Sequence, residues 1–577
     1  MLASFAACLC ILGAVPAPRI RAVGIDLGTT NSAVCVYDRA SCEPVLVRNR
    51  HGDALTPSVV SFLPDGQVLV GRDAIERAAT NPLNTYRSIK RLLGRTLDSA
   101  SERKLASQLL PSADTLRCDP DGGSLRLHCP ALGRELRLEE VSAAVLGALV
   151  GDVLVHLRSA PADGDGADGG GGDWCADDLR CVITVPAQFE DSQREATEVA
   201  ARLAGLRHVR LMREPVAAAL AFGAMGRALD AQDGATVTES ARKSAGKAEA
   251  RNVLVVDIGA GTTDVSVLEV RDGIVEVLAT AADGRLGGDD VDDALEAWLA
   301  LRLQDAHPEL ARVLRSDPAA RFATRRALEA AKVALSVRKQ AVLALPLAVD
   351  GCAPSLERPA LELTLTRVEL DAAVEDVLAR LKRPIYEAAL NSRLTLQGER
   401  DGPGADARDG KRAKGARTGG GKKAPGGARS EPAPGDLARA SDGLLEKSRA
   451  LPSGRPLHAL VMVGGVTHML GVRRLAANLA GVEVRRTVDP MEAVARGAAL
   501  QAAVTEGLAT GVAVEDSWQA QLRKAYAKLE LDLEARARRR AGGEAGGEEE
   551  AQGEETEWPE IADSDEEEGG GESGEVN

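Results

Sequence analysis

Two aspartates carry the most legible chemistry in this 577-residue chain. Asp26 closes the apolar run Val23-Gly24-Ile25 and leads into Leu27-Gly28-Thr29-Thr30-Asn31. Asp257 closes Val255-Val256 and leads into Ile258-Gly259-Ala260-Gly261-Thr262. An acid at a strand end can hold the water shell of a divalent cation, glycines let an anion approach main-chain N–H groups, and threonine hydroxyls add donors. Together these groups suit a polyphosphate with its metal. A single turn of this kind is commonly an ordinary tight turn. A third strand-to-glycine turn, Ala459-Leu460-Val461-Met462-Val463 into Gly464-Gly465-Val466-Thr467, makes coincidence a poor account. The elements behind the turns must be buried strands, and the repetition implies two lobes gripping one nucleotide.

These segments resemble the ATPase domain of the 70-kDa heat-shock chaperones, within the actin and sugar-kinase superfamily. The resemblance continues through residues 86–95 and 185–194, Arg213-Glu214-Pro215, Leu286-Gly287-Gly288-Asp289-Asp290 and residues 489–499, and covers about 19–507. It implies an α/β protein with the two-lobed actin-like, sugar-kinase-like fold around a central nucleotide cleft. It also implies ATP or ADP with Mg²⁺ as ligands, with K⁺ as a further candidate ion. By the same resemblance, Gly28, Thr29, Thr30 and Asn31 form the first phosphate turn, and Gly259, Ala260, Gly261 and Thr262 the second. Asp26 and Asp257 orient hydrated Mg²⁺, Lys90 reaches the γ-phosphate, and Glu214 positions the attacking water. Glu329, Lys332 and Ser336 grip adenosine, with Gly287, Gly288, Gly464, Gly465 and His468 completing the nucleotide site. Phosphoryl transfer asks for such a set, because cations offset developing charge while carboxylates hold metal and nucleophile in line. Singly, Lys90 reads as a solvated helix residue and Glu214 as an acid at a helix start. In this order and spacing they read as a site.

The nucleoside side departs from the family pattern. Val333 stands where an arginine usually stacks on adenine, Val466 replaces a serine, His468 an arginine and Met491 an aspartate. Loss of a guanidinium stack weakens base binding by about 1 kcal/mol. Pro186 and Arg194 of the family's relay are retained. Arg213 and Val216 replace asparagine and threonine, and Val512-Ala513-Val514-Glu515-Asp516 is a poor version of the leucine-rich linker, which puts J-domain docking by the usual route in doubt.

Composition bounds the remainder. The chain has 71 basic and 86 acidic residues, and fifteen of the acids lie beyond residue 540, where Lys and Arg are absent. The body is therefore neutral, and no basic field argues for a nucleic-acid partner. The expected organisation is an apolar leader over 1–17, the ATPase domain over 19–507, a helical extension over 508–540 and a disordered acidic tail over 541–577. Gly-, Ala- and Lys-rich stretches near 161–173, 227–251 and 398–436 read as inserted loops. No run of alternating strands follows residue 507, so no peptide-binding domain is expected there. The leader has the length of a signal-peptide core, too short for a transmembrane span. It favours the endoplasmic reticulum or secretory lumen, with the cytoplasm as alternative, and fits a microsomal branch of the family. Cys118 and Cys129 flank a turn-rich segment that could bring them within disulfide reach; the alternative is two free thiols on a strand pair.

Three functions are compatible with these residues. One is a slow Mg²⁺-dependent ATPase acting in protein folding and quality control, with co-chaperones or unfolded clients as partners. A second is a nucleotide-dependent co-chaperone or scaffold with little turnover. A sugar or metabolite kinase is disfavoured because the resemblance follows the chaperone branch throughout.

Overall fold

Runs such as Val23 to Ile25 and Leu254 to Val256 are too apolar to face water on either side, and both become central strands buried on two faces. The computed structural model describes residues 20–515 apart from 79, 97–102, 104–105, 107–108, 111–115, 119–124, 160–172, 225–249, 272–273, 317, 347–358, 397–453, 486–487 and 510–512. The apolar leader, nearly all of the three predicted insertions, and the chain from residue 516 onward lie outside the described residues.

Lobe I is built on β1 (Arg21–Asp26), β2 (Asn31–Asp38), β3 (Glu43–Leu46), β4 (Leu179–Val185) and β5 (Val209–Arg213). Their order is β5-β4-β1-β2-β3, with the short Thr56–Pro57 strand on β2. Lobe II repeats the plan with β6 (Arg251–Ile258), β7 (Thr263–Arg271), β8 (Ile274–Asp283), β9 (Ala459–Val463) and β10 (Val484–Arg485). Its order is β10-β9-β6-β7-β8, extended at the far edge by β11 (Ala513–Glu515). In each lobe the first strand is antiparallel to its hairpin partner and parallel to a strand that arrives from far along the chain. Asp26 and Asp257 sit at equivalent ends of equivalent strands, so the repetition in the sequence is a repetition of topology.

Five helices matter for the site: α1 (Leu138–Ser159), α2 (Glu214–Ala224), α3 (Gly288–Ala306), α4 (Pro318–Val337) and α5 (Ala493–Thr505). Leucine and valine dominate one core around β1 and α1 and another around β6 and α3. Between them α2 and α5 pack through Val216, Ala217, Ala218, Ala493 and Val494. Gly497 makes that crossing possible, because a Cβ there would collide with the Ala217 carbonyl. Among the described residues α1 is long and apolar enough to cross a membrane, but half of its most apolar window is buried within the protein, where Leu146, Leu149 and Val153 join the lobe I core.

Two expectations change, and one pair of alternatives is narrowed. Ala513–Glu515, assigned to a helical extension, is a strand whose Ala513, Val514 and Glu515 lie in parallel register with Ile274, Val275 and Glu276. Apolar alternation in the linker-like segment suits a sheet edge, whatever its divergence from a leucine-rich pattern. Arg251, placed at the end of an insertion, is the first residue of β6. The turn-rich segment does join two paired strands, but Cys118 faces Leu125 while Cys129 lies four residues farther along and faces Arg134 on the next strand. Cys129 is a buried free thiol with its Sγ 3.5 Å from Asn84 Oδ1.

Candidate nucleotide site

The first turn is braced from a distance. Gly28, Thr29, Thr30 and Asn31 are half-buried between β1 and β2. Ser58 holds them from outside the motif: its hydroxyl donates to the Gly28 carbonyl at 2.8 Å, and its N–H donates to the Thr30 carbonyl at 2.7 Å. Asp26 is the register partner of Thr184 on β4, whose hydroxyl donates to Asp26 Oδ1 at 3.3 Å. Burial, then the nearby Glu214 charge, pushes the Asp26 carboxyl up to about 7 against the opposing pull of Lys90 and Thr184.

The second turn closes on itself, with the Gly259 N–H donating to the Thr262 carbonyl at 2.9 Å. The hairpin sets Asp257 on β6 opposite Asp264 on β7. Burial and the Glu214 charge push the carboxyl of Asp264 up to about 7 and that of Asp257 well above its ordinary range. Asp264 Oδ1 is buried with no hydrogen-bond partner.

Lys90 supplies the cation. Ser88, in left-handed backbone at φ 56°, turns the chain into the short 3₁₀ segment Ile89–Arg91, and Lys90 points inward. Its Nζ donates to Glu214 Oε1 at 2.6 Å, with both side chains nearly buried, and lies 5.6 Å from the Phe189 ring centroid. Glu214 is the first residue of α2, where an acid is favoured by the helix N-terminus.

One lysine among Asp26, Glu214, Asp257 and Asp264 leaves a buried excess of negative charge. An orphaned carboxylate oxygen and that excess fit a hydrated divalent cation. Among the described residues no three acidic, His or Cys side chains converge as direct ligands, so the carboxylates suit a water-mediated hold on Mg²⁺.

Glycines bring the second and third turns together with the start of α3. The Gly288 N–H donates to the Gly259 carbonyl at 3.0 Å, and the Asp289 N–H to the Ala260 carbonyl at 2.7 Å. A Cβ on Gly287 would lie 2.5 Å from the Ala260 carbonyl oxygen, and one on Gly288 would lie 3.1 Å from Val466 Cγ2. Gly464 takes φ 84° beneath the Ile258 carbonyl, and Met491 packs its sulfur beside Gly465. On α4, Glu329, Val333 and Ser336 follow helical spacing along one face, and Val333 is 62% exposed. Lys332 is tied to Asp292 on α3 at 2.6 Å. His468 Nδ1 lies 3.3 Å from Arg473 Nη2, and burial pulls the imidazole pKa down.

Sequence reasoning missed Asp264, Thr184 and Ser58. Asp264 was detectable as an acid separated from Asp257 by one tight turn, and Thr184 as a hydroxyl inside an apolar strand. Ser58 carried no local signal.

Two matched lobes with three glycine turns and a buried lysine–carboxylate centre define a two-lobed nucleotide-binding protein of actin-like architecture. The Hsp70 protein family model matches residues 22–398 and 449–522, and the chain belongs to the Hsp70 family. It is 34% identical over 485 residues to the chaperone protein dnaK3 of Thermosynechococcus vestitus, covering 84% of this chain and 55% of that protein. It is 33% identical over 489 residues to the chaperone protein dnaK of Guillardia theta, covering 84% and 60%. Against the chloroplastic stromal 70 kDa heat shock-related protein of Pisum sativum it is 32% identical over 496 residues, covering 86% and 55%. The chain thus spans somewhat more than half the length of these relatives. Of these the Pisum sativum protein is named as chloroplastic, and none of the three is named as microsomal. The family binds ATP or ADP with Mg²⁺, and its members are chaperones that interact with co-chaperones and clients.

Proposed function

We propose that this chain is a slow, Mg²⁺-dependent ATPase acting in protein folding and quality control, with ATP as its ligand and co-chaperones or unfolded clients as its partners. The observation that carries this reading is the buried Lys90–Glu214 pair at 2.6 Å beside Asp26 and Asp257. Lys90 offsets charge on the γ-phosphoryl oxygens, and Glu214 accepts a hydrogen bond from the attacking water. Asp26, Asp257 and Asp264 orient the metal's water shell, and Thr262 with the main-chain N–H groups of both turns binds phosphate oxygens. Mg²⁺ when bound neutralises phosphate charge. Glu329, Lys332 and Ser336 hold the nucleoside, with His468 stacking in place of the family arginine. Phosphate release by the full chain, with and without Mg²⁺, beside Lys90→Ala, tests this: slow Mg²⁺-dependent release lost in the variant is expected.

A nucleotide-gated scaffold with little turnover is the second reading, favoured by Val333 at the base-binding face. Tight ATP binding without release above the Lys90→Ala level would select it. The secretory compartment rests on the apolar leader alone, against relatives named for the chloroplast. Imaging of a C-terminally tagged full chain separates these addresses and the cytoplasm.

A further inference from the structure

The third glycine turn is held from its own C-terminal side. It runs from Gly464 through the 3₁₀ segment Gly465–His468 into the helix Leu470–Ala480. Arg473, one turn into that helix, folds its guanidinium back over it. Arg473 Nε donates to the Thr467 carbonyl at 2.6 Å, and Nη2 lies 3.3 Å from His468 Nδ1. A guanidinium offers donors only and stays charged at any working pH, so the imidazole nitrogen in this contact is the acceptor. The ring proton is then on Nε2, and the ring is neutral.

Nδ1 is thus occupied within the protein, and any ligand contact at the ring edge is made by Nε2–H. Asp489 is the nearby charge that favours an imidazolium, opposed by partial burial and by Arg473. Its Oδ1 accepts the Met491 N–H at 2.8 Å. Thr467 is fully buried, with its hydroxyl and its N–H both donating to the Gly464 carbonyl, and the Met469 N–H donates to the Val466 carbonyl. The turn keeps these bonds when Arg473 is replaced, which favours folding of the variants.

We propose that Arg473 is a positioning residue for the nucleoside: it fixes His468 as a neutral imidazole with its proton on Nε2, so that the ring meets the base as a π surface with one donor. The positive charge at this turn sits on Arg473 instead of on the ring. The nucleoside role rests on the nucleotide-binding reading, whereas the tautomer is a property of the nucleotide-free chain.

Two measurements on the full chain test the two halves. With isotope-labelled histidine and no nucleotide, two-bond proton–nitrogen correlations read each imidazole, and His468→Gln assigns the signal among the seven histidines. Wild type should show an unprotonated Nδ1 and a proton on Nε2, and Arg473→Met should show averaging between tautomers. Calorimetric titration with ADP reads the other half. Arg473→Met should weaken binding about fivefold, and the same substitution in a His468→Ala chain should change Kd by no more than about twofold. An equal loss in both backgrounds would assign Arg473 to holding the turn alone and overturn the proposal, as would a wild-type proton on Nδ1. Wild-type binding with an unchanged Kd in Arg473→Met defeats this inference alone, whereas a wild-type chain that binds no ADP defeats the proposed ATPase and the nucleoside role with it.

Discussion

Asp257 and Asp264 stand opposite one another across the β6–β7 pair, two buried carboxylates as direct register partners. Like charges facing across strands destabilise a sheet, and here burial pushes the Asp264 carboxyl up to about 7. An acid with a higher pKa folded than unfolded binds more protons when folded, so metal-free stability falls as pH rises from about 4 through about 7. Metal binding needs deprotonated carboxylates and opposes that loss. Melts in chelator should show wild type losing Tm over this range relative to Asp264→Asn, and the Mg²⁺-induced gain in wild type should grow with pH. Parallel profiles for the two proteins would refute this.

Removing Lys90 has two separable effects. Lys90→Ala leaves Glu214 buried without its cation and should cost about 3 kcal/mol in urea unfolding. Adding Glu214→Gln should recover part of that stability while phosphate release stays at least 100-fold below wild type. Full recovery of turnover in the double variant would exclude both residues from the chemistry.

Val333 is 62% exposed on α4, so an arginine there disturbs no core. Val333→Arg should tighten ADP binding about fivefold by restoring a cation on the base, read by titration calorimetry. An unchanged Kd would show that the base does not lie over this face of the helix.

At the α2–α5 crossing, Gly497→Ala drives a methyl group into the Ala217 backbone. The expected cost is about 3 kcal/mol in chemical denaturation. A cost below 1 kcal/mol would mean that the helices separate easily.

The sequence carried the strands and turns because each is written in consecutive residues: apolar runs, a terminal aspartate, then glycines. Asp26, Lys90, Glu214 and Asp257 lie within electrostatic reach of one another. Residues acting through long-range pairing were hidden. Thr184 meets Asp26 only through parallel register between strands about 160 residues apart, Lys332 meets Asp292 across two helices, and β11 exists only because β8 offers an edge. The choice between a Cys118–Cys129 disulfide and two thiols on a strand pair was open for the same reason, since a turn signal does not set register.

The α2–α5 crossing also bears on synthesis. Ala498, Leu500 and Ala502 of α5 cover Ala22 and Val182 of lobe I, so a core begun by the first strand is closed by residues made almost five hundred positions later. The first lobe cannot reach its final packing until residues near position 500 have been made. Its nascent form must wait with an apolar face open, and a protein of a folding-assistance family is itself a demanding client during its own translation.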